Sequence, residues 1–208
     1  TLLLVLGGFQ GVVGWWMVKS GLTEQASVSQ YRLASHLAVA LVIFSLLIWT
    51  GFDLRDGSAK SPKGHGMASL ALLGITILAG ALVAGMDAGL LYNHYPLMGT
   101  GLVPVEYGEA GWLDPFENPA SAQFHHRWIA AVTFGAVVVL ALNTRRHGLH
   151  LRSNLVLGAV VVQFILGIVT LLHGVPVALG GMHQAGAVVL LGCLLALLHG
   201  ESHHRQNI

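Results

Sequence analysis

Charge is what this chain has least of. Only 9% of its 208 residues are Asp, Glu, Lys or Arg, and the formal net charge is +1, where soluble domains carry about 25% charged residues. So few cations build no basic face, which excludes nucleic acid as a partner. Cysteine is almost missing as well. Cys193 stands alone in an apolar run, leaving no internal disulfide and no cysteine-built metal centre. The start lacks the basic stretch that opens a signal peptide. Thr1 already stands in an apolar run, so the expectation is a fragment without its original N-terminus.

What is abundant is apolar sequence. Hydrophobic residues make up 54%, and the mean hydropathy is +0.70. A membrane span needs roughly 20 such residues. Six segments qualify: Leu2–Val18, Leu33–Phe52, Met67–Leu91, His126–Thr144, Asn154–His173 and Gly181–His199. The expected class is therefore an all-α integral membrane protein. Arg55, Lys60, Lys63, Arg145, Arg146, Arg152 and Arg205 fall on alternate connections, against Lys19, Arg32 and Arg127 on the others. Positive charge marks the cytoplasmic side. The second, fourth and sixth spans then run inward, and each carries a histidine near its outer end: His36, His126 and His183.

A histidine at that depth needs a partner. Neutral imidazole is a common iron ligand, so three helices with one at equal depth point to haem ligation in a helix bundle. Each also has a plainer reading. His126 is an axial ligand, with Ala130 leaving room for a flat macrocycle on its face, or an interfacial histidine hydrated by the outer loop. Arg127 suits a haem propionate at the water boundary, or is an interfacial anchor. His183 lies between Gly180 and Gly186, which leave space for a porphyrin or simply for close helix packing. His36 has Ala40 and Arg32 on its face. His125 points about 100° away from His126 and reads as a surface residue, His94 as a loop residue. His173 ends the fifth span within reach of a haem edge, while His199 stands at the opposite end. Asp87 is the one acid inside an expected span, a functional candidate or a cap. Trp15, Trp16, Trp112 and Trp128 match an interfacial belt.

The first two spans resemble the last two. Gly11-Val-Val-Gly-Trp-Trp-Met-Val18 aligns with Gly167-Ile-Val-Thr-Leu-Leu-His-Gly174, and His36 then corresponds to His183, with the second connection about nine residues shorter. The third and fourth spans have no counterpart ahead of them. The expected parent is two four-helix units, eight spans in all.

Long motifs sharpen this. Asp87-Ala-Gly-Leu-Leu-Tyr-Asn-His-Tyr-Pro-Leu-Met98, Phe116-Glu-Asn-Pro119, Gln123-Phe-His-His-Arg127, Gly11 to Gly21 and Val28-Ser-Gln-Tyr-Arg-Leu-Ala-Ser-His36 resemble the haem A synthase family of proteobacteria and mitochondria. The resemblance implies a substrate half, here residues 1–66, and a haem B cofactor half, residues 67–208. It implies oxidation of the C8 methyl of haem O to a formyl group, giving haem A for terminal oxidase assembly. His126 and His183 would be the axial ligands of haem B, with Arg127 beside them. His36 would serve the iron of haem O on the catalytic side, and the family's catalytic glutamate lies on a helix absent here. The resemblance further implies a bacterial or mitochondrial inner membrane, haem sites near the outer face, and haem O handed over by haem O synthase. Assembly with a second copy is left open. The chain departs from the family pattern in having Gly99 where an aspartate is expected, and in lacking the loop cysteine pairs of some bacterial members.

Two other functions compete. A di-haem electron carrier of the cytochrome b561 kind also needs paired histidines and spans, but holds haem B only. A transporter needs broken helices and a midplane polar site, whereas the polar residues here gather at the outer boundary.

Overall fold

An apolar run in lipid must pair every backbone N–H and C=O within itself, and a helix does so. The computed structural model describes residues 1–19 and 28–204, with side chains as far as Ser202. Ser20 and Gly21 of the first motif, Arg205, and the side chains of His203 and His204 lie outside the described residues. The helices are α1 (Leu2–Lys19), α2 (Gln30–Asp56), α3 (His65–Gly85), the one-turn α4 (Asp114–Glu117), α5 (Pro119–Arg146), α6 (His150–Leu172) and α7 (Val177–His204). All but α4 are long and apolar enough to cross a membrane, and no strand occurs among the described residues. The all-α membrane class expected from composition is what the chain forms.

Helix ends differ most from the hydropathy reading in two places. α5 starts at Pro119, well before His126. Asn118 caps it, its side-chain oxygen accepting from the amides of Ala120 at 3.0 Å and Ser121 at 3.4 Å, and Pro119 supplies the preset φ of a first helical residue. Hydropathy alone misses this polar first turn. α3 stops at Gly85, short of Leu91, because Asp87 adopts a left-handed φ of 51° and leads into a short 3-10 turn, Ala88–Leu90. Aspartate tolerates that conformation better than most residues. Asp87 is therefore not inside a span, contrary to expectation.

α3, α5, α6 and α7 share one core, with Ile77, Val137, Val156 and Leu194 at its centre. Leu37, Leu41, Phe44 and Ile48 of α2 pack on it from outside, while α1 buries only Val13. Apolar burial does not hold helices together in lipid; close packing and interhelical hydrogen bonds do, at about 0.6 kcal/mol per bond. Thr76 and Thr133 join α3 to α5 at 2.7 Å, and Thr144 and Ser153 join α5 to α6 at 3.0 Å. At the end far from His36, His126 and His183, Arg152 of α6 pairs with Asp56 at 2.7 Å and His199 of α7 with Asp53 at 3.0 Å. These bonds fasten α2 to the four-helix unit.

Candidate cofactor site

His36, His126 and His183 each stand six or seven residues beyond the start of their helix. At 1.5 Å per residue that is a depth of roughly 10 Å, the same in all three. All three therefore stand about equally far from the starts of their own helices. The structure brings two of them together. His126 and His183 line one cavity of about 400 Å³ between α3, α5, α6 and α7, while His36 faces α1 instead.

Each of the three rings lies against a glycine of the preceding long helix. A Cβ on Gly80 would stand 3.1 Å from Cε1 of His126, one on Gly167 2.7 Å from Cε1 of His183, and one on Gly14 3.0 Å from Cε1 of His36. A Cβ at Gly167 would force the His183 ring to shift, and one at Gly80 or Gly14 would crowd its ring by a few tenths of an ångström. This geometry also corrects the register of the repeat. Gly14, not Gly11, is the counterpart of Gly167, because nothing lies within 4 Å of a Cβ at Gly11. The second connection is therefore six residues shorter rather than nine.

Polar partners set the tautomers. Nδ1 of His126 lies 3.1 Å from the Thr76 carbonyl oxygen. A carbonyl only accepts, so Nδ1 carries the hydrogen and Nε2 keeps a free lone pair. For His183 the neighbour is Gln163, whose amide nitrogen lies 3.1 Å from Nδ1 and donates to the His183 carbonyl at 2.9 Å. Gln10 occupies the same place beside His36, at 3.3 Å from Nε2 and 3.2 Å from the carbonyl. These two glutamines were missed in the sequence. Their signal is a polar residue one helical turn before a glycine inside an apolar span. Ala130 and Gly180 line the cavity as expected. Gly186 does not; it clears space for the Gln163 amide.

The outer loop closes the cavity. Asp87, Tyr95 and Arg127 all line it. The Arg127 guanidinium donates to the carbonyls of Tyr92 at 2.6 Å, His94 at 2.9 Å and Leu97 at 3.2 Å, while its buried Nε has no partner among the described residues. Gln123 donates to the Tyr92 carbonyl at 3.1 Å, and Asn93 to that of Leu171 at 3.0 Å. Asn118 also donates to the Glu106 carbonyl at 2.6 Å and to Asp114 at 3.0 Å. Burial would raise the Asp114 carboxyl, but hydrogen bonds from the amides of Ala110 and Gly108 and from the Asn118 side chain outweigh it and hold it at about 2. The Tyr92 hydroxyl donates to Glu106 at 2.6 Å, which lowers the Glu106 carboxyl and raises the phenol. The long motif from Asp87 to Met98 is thus the lid of the cavity, with Met98 its buried peg. Gly99 takes φ +72°, a left-handed position that favours glycine.

The other histidines with described side chains stay outside. His125 bonds the Ser121 carbonyl and the Tyr107 hydroxyl. His173 turns back to the Val169 carbonyl and does not line the cavity. Among the described residues no group of three or more His, Cys, Asp or Glu is placed to hold a metal ion by itself. Two imidazoles on one cavity suit instead an ion whose other ligands come with it, as in an iron macrocycle.

The sequence matches, over residues 1–195, the family model described as cytochrome oxidase assembly protein. The chain belongs to that family. Heme A synthase of Caulobacter sp. strain K31 is 45% identical over 202 residues, covering 92% of this chain and 59% of that protein. Heme A synthase of Rhodospirillum centenum is 46% identical over 209 residues, 95% of this chain and 56% of its own length. That of Rhizobium meliloti is 42% identical over 209 residues, 95% and 57% respectively. The chain thus spans less than two thirds of these relatives. No solved structure matches it. Within the family match fall all the cavity-lining residues, from Leu73 to Leu190.

Proposed function

We propose that this protein serves haem A synthesis, the activity for which its relatives are named, by oxidation of the C8 methyl of haem O to a formyl group. The observation that carries the reading is the pairing of His126 and His183 on one glycine-backed cavity. His126 and His183 would hold a haem B cofactor in that cavity, and it would supply electron transfer rather than oxygen binding.

The chain's own residues prepare the site. The Thr76 carbonyl holds His126 in the tautomer that leaves Nε2 free. Gly80 and Gly167 let both rings stand close to the helix behind them. Arg127 holds the lid by three carbonyls and keeps one buried N–H for an acid group at the cavity mouth, the role proposed for it toward a haem propionate. His36 is assigned to the substrate haem, in the half formed by residues 1–66. The distribution of basic residues supports a site toward the outer face, and the membrane proposed is a bacterial or mitochondrial inner membrane. Haem O synthase is the proposed donor of the substrate.

The test is the mass of haem extracted from the protein produced with haem O synthase. Haem A or a hydroxylated haem O supports the reading. Haem B alone contradicts it and favours an electron carrier of the cytochrome b561 kind.

A further inference from the structure

Gln163 has no part in the functions assigned so far. It is a polar side chain in an apolar span, where an amide is costly unless it is used. Its place is built: a Cβ at position 186 would collide with its Oε1, so only glycine there admits the amide. We propose that Gln163 is the positioning residue of His183, its Oε1 accepting from a protonated Nδ1 when Nε2 serves as ligand; this rests on the reading of His126 and His183 as haem ligands.

The two ligand histidines are held differently. His126 leans on a main-chain carbonyl, which fixes its tautomer whatever the side chain at position 76. Among the described residues, the His183 ring has the Gln163 amide as its hydrogen-bond partner. The amide nitrogen faces Nδ1, and in that pose Nδ1 accepts and Nε2 carries the hydrogen. Oε1 is meanwhile buried with no partner among the described residues. Ligation by Nε2 demands the other tautomer. Presenting Oε1 instead gives Nδ1–H an acceptor, and because the amide nitrogen now stands 2.9 Å from the His183 carbonyl oxygen, the amide must also swing clear of that carbonyl and give up its bond to it. The His183 carbonyl keeps its helical donor. Second-shell acceptors of this kind fix the ring and raise its basicity.

The repeat supports the assignment. Gln10 precedes Gly14 by four residues, as Gln163 precedes Gly167, and it sits beside the ring and carbonyl of His36 with its own Oε1 unpartnered. Both copies thus place a glutamine amide beside a glycine-backed histidine ring and its carbonyl. In the first copy the amide meets Nε2 rather than Nδ1.

The experiment compares Gln163→Glu and Gln163→Met in the haem-loaded protein purified from membranes, by visible spectrum and reductive titration. A carboxylate is a permanent acceptor and favours ferric iron. Gln163→Glu should keep the low-spin spectrum with a midpoint potential below wild type. Gln163→Met has no acceptor, so its potential should rise or its haem content fall, with Gln163→Glu retaining haem. Wild-type potentials in both variants, or equal haem loss from both, would overturn the proposal. His183→Ala, run beside them, separates the two failures. An unchanged low-spin spectrum in that variant sinks the haem assignment itself. Its loss, with silent Gln163 variants, sinks only the role of Gln163.

Discussion

A methyl group is enough to disturb a ring that rests on a glycine. At Gly167 the new Cβ would stand 2.7 Å from His183, closer than real contacts allow; at Gly80 the approach to His126 is 3.1 Å. Gly167→Ala should therefore lower the haem-to-protein ratio severalfold, and Gly80→Ala less. Gly11→Ala should leave it unchanged, since nothing lies near that position. Equal effects at all three would show that helix packing in general, not the histidine rings, needs the glycines. Sequence alone pointed to the histidines because each is an expensive polar group at a matching depth. It did not disclose Gly80, Gly167 or Gln163, because a glycine or glutamine in a span acquires meaning only once a neighbouring helix brings a ring against it.

Among the elements, the lid and its junction with α5 concentrate the polar structure. Asn118 caps α5, and a lost cap costs about 1 kcal/mol. It also joins Glu106 and Asp114, so Asn118→Ala should cost roughly 2 kcal/mol, read as a lower melting temperature in detergent. Asp114 gives the lid an acid limit. Its carboxyl is held at about 2, below the ordinary 3.8. Its contribution is complete above pH 3.8 and drains as the pH falls toward 2. Asp114→Asn should flatten the dependence of melting temperature on pH in that window; an unchanged slope would place the acid sensitivity elsewhere. At the opposite end, Asp53→Ala removes the carboxylate bonded to His199 and should destabilise the α2 contact by about 1–2 kcal/mol. The six spans were legible from hydropathy. The early start of α5 was not, because its first turn is polar. Yet Asn118-Pro119 is itself a start signal, a cap followed by a first-position proline.

On the scale of the molecule, four helices share a core while α2 packs on it from outside and α1 contributes one buried residue. The pseudo-repeat was legible in outline and wrong in register. Glycine spacing in the sequence allows Gly11 or Gly14 to match Gly167, and only the contact with His36 decides. The central proposal is that one haem bridges α5 and α7 through His126 and His183. It is tested most directly by electron paramagnetic resonance of the haem-loaded protein beside His126→Ala and His183→Ala. Loss of the low-spin ferric signal of that haem in each single variant is the expected result. Persistence of the unchanged signal in either one would contradict it.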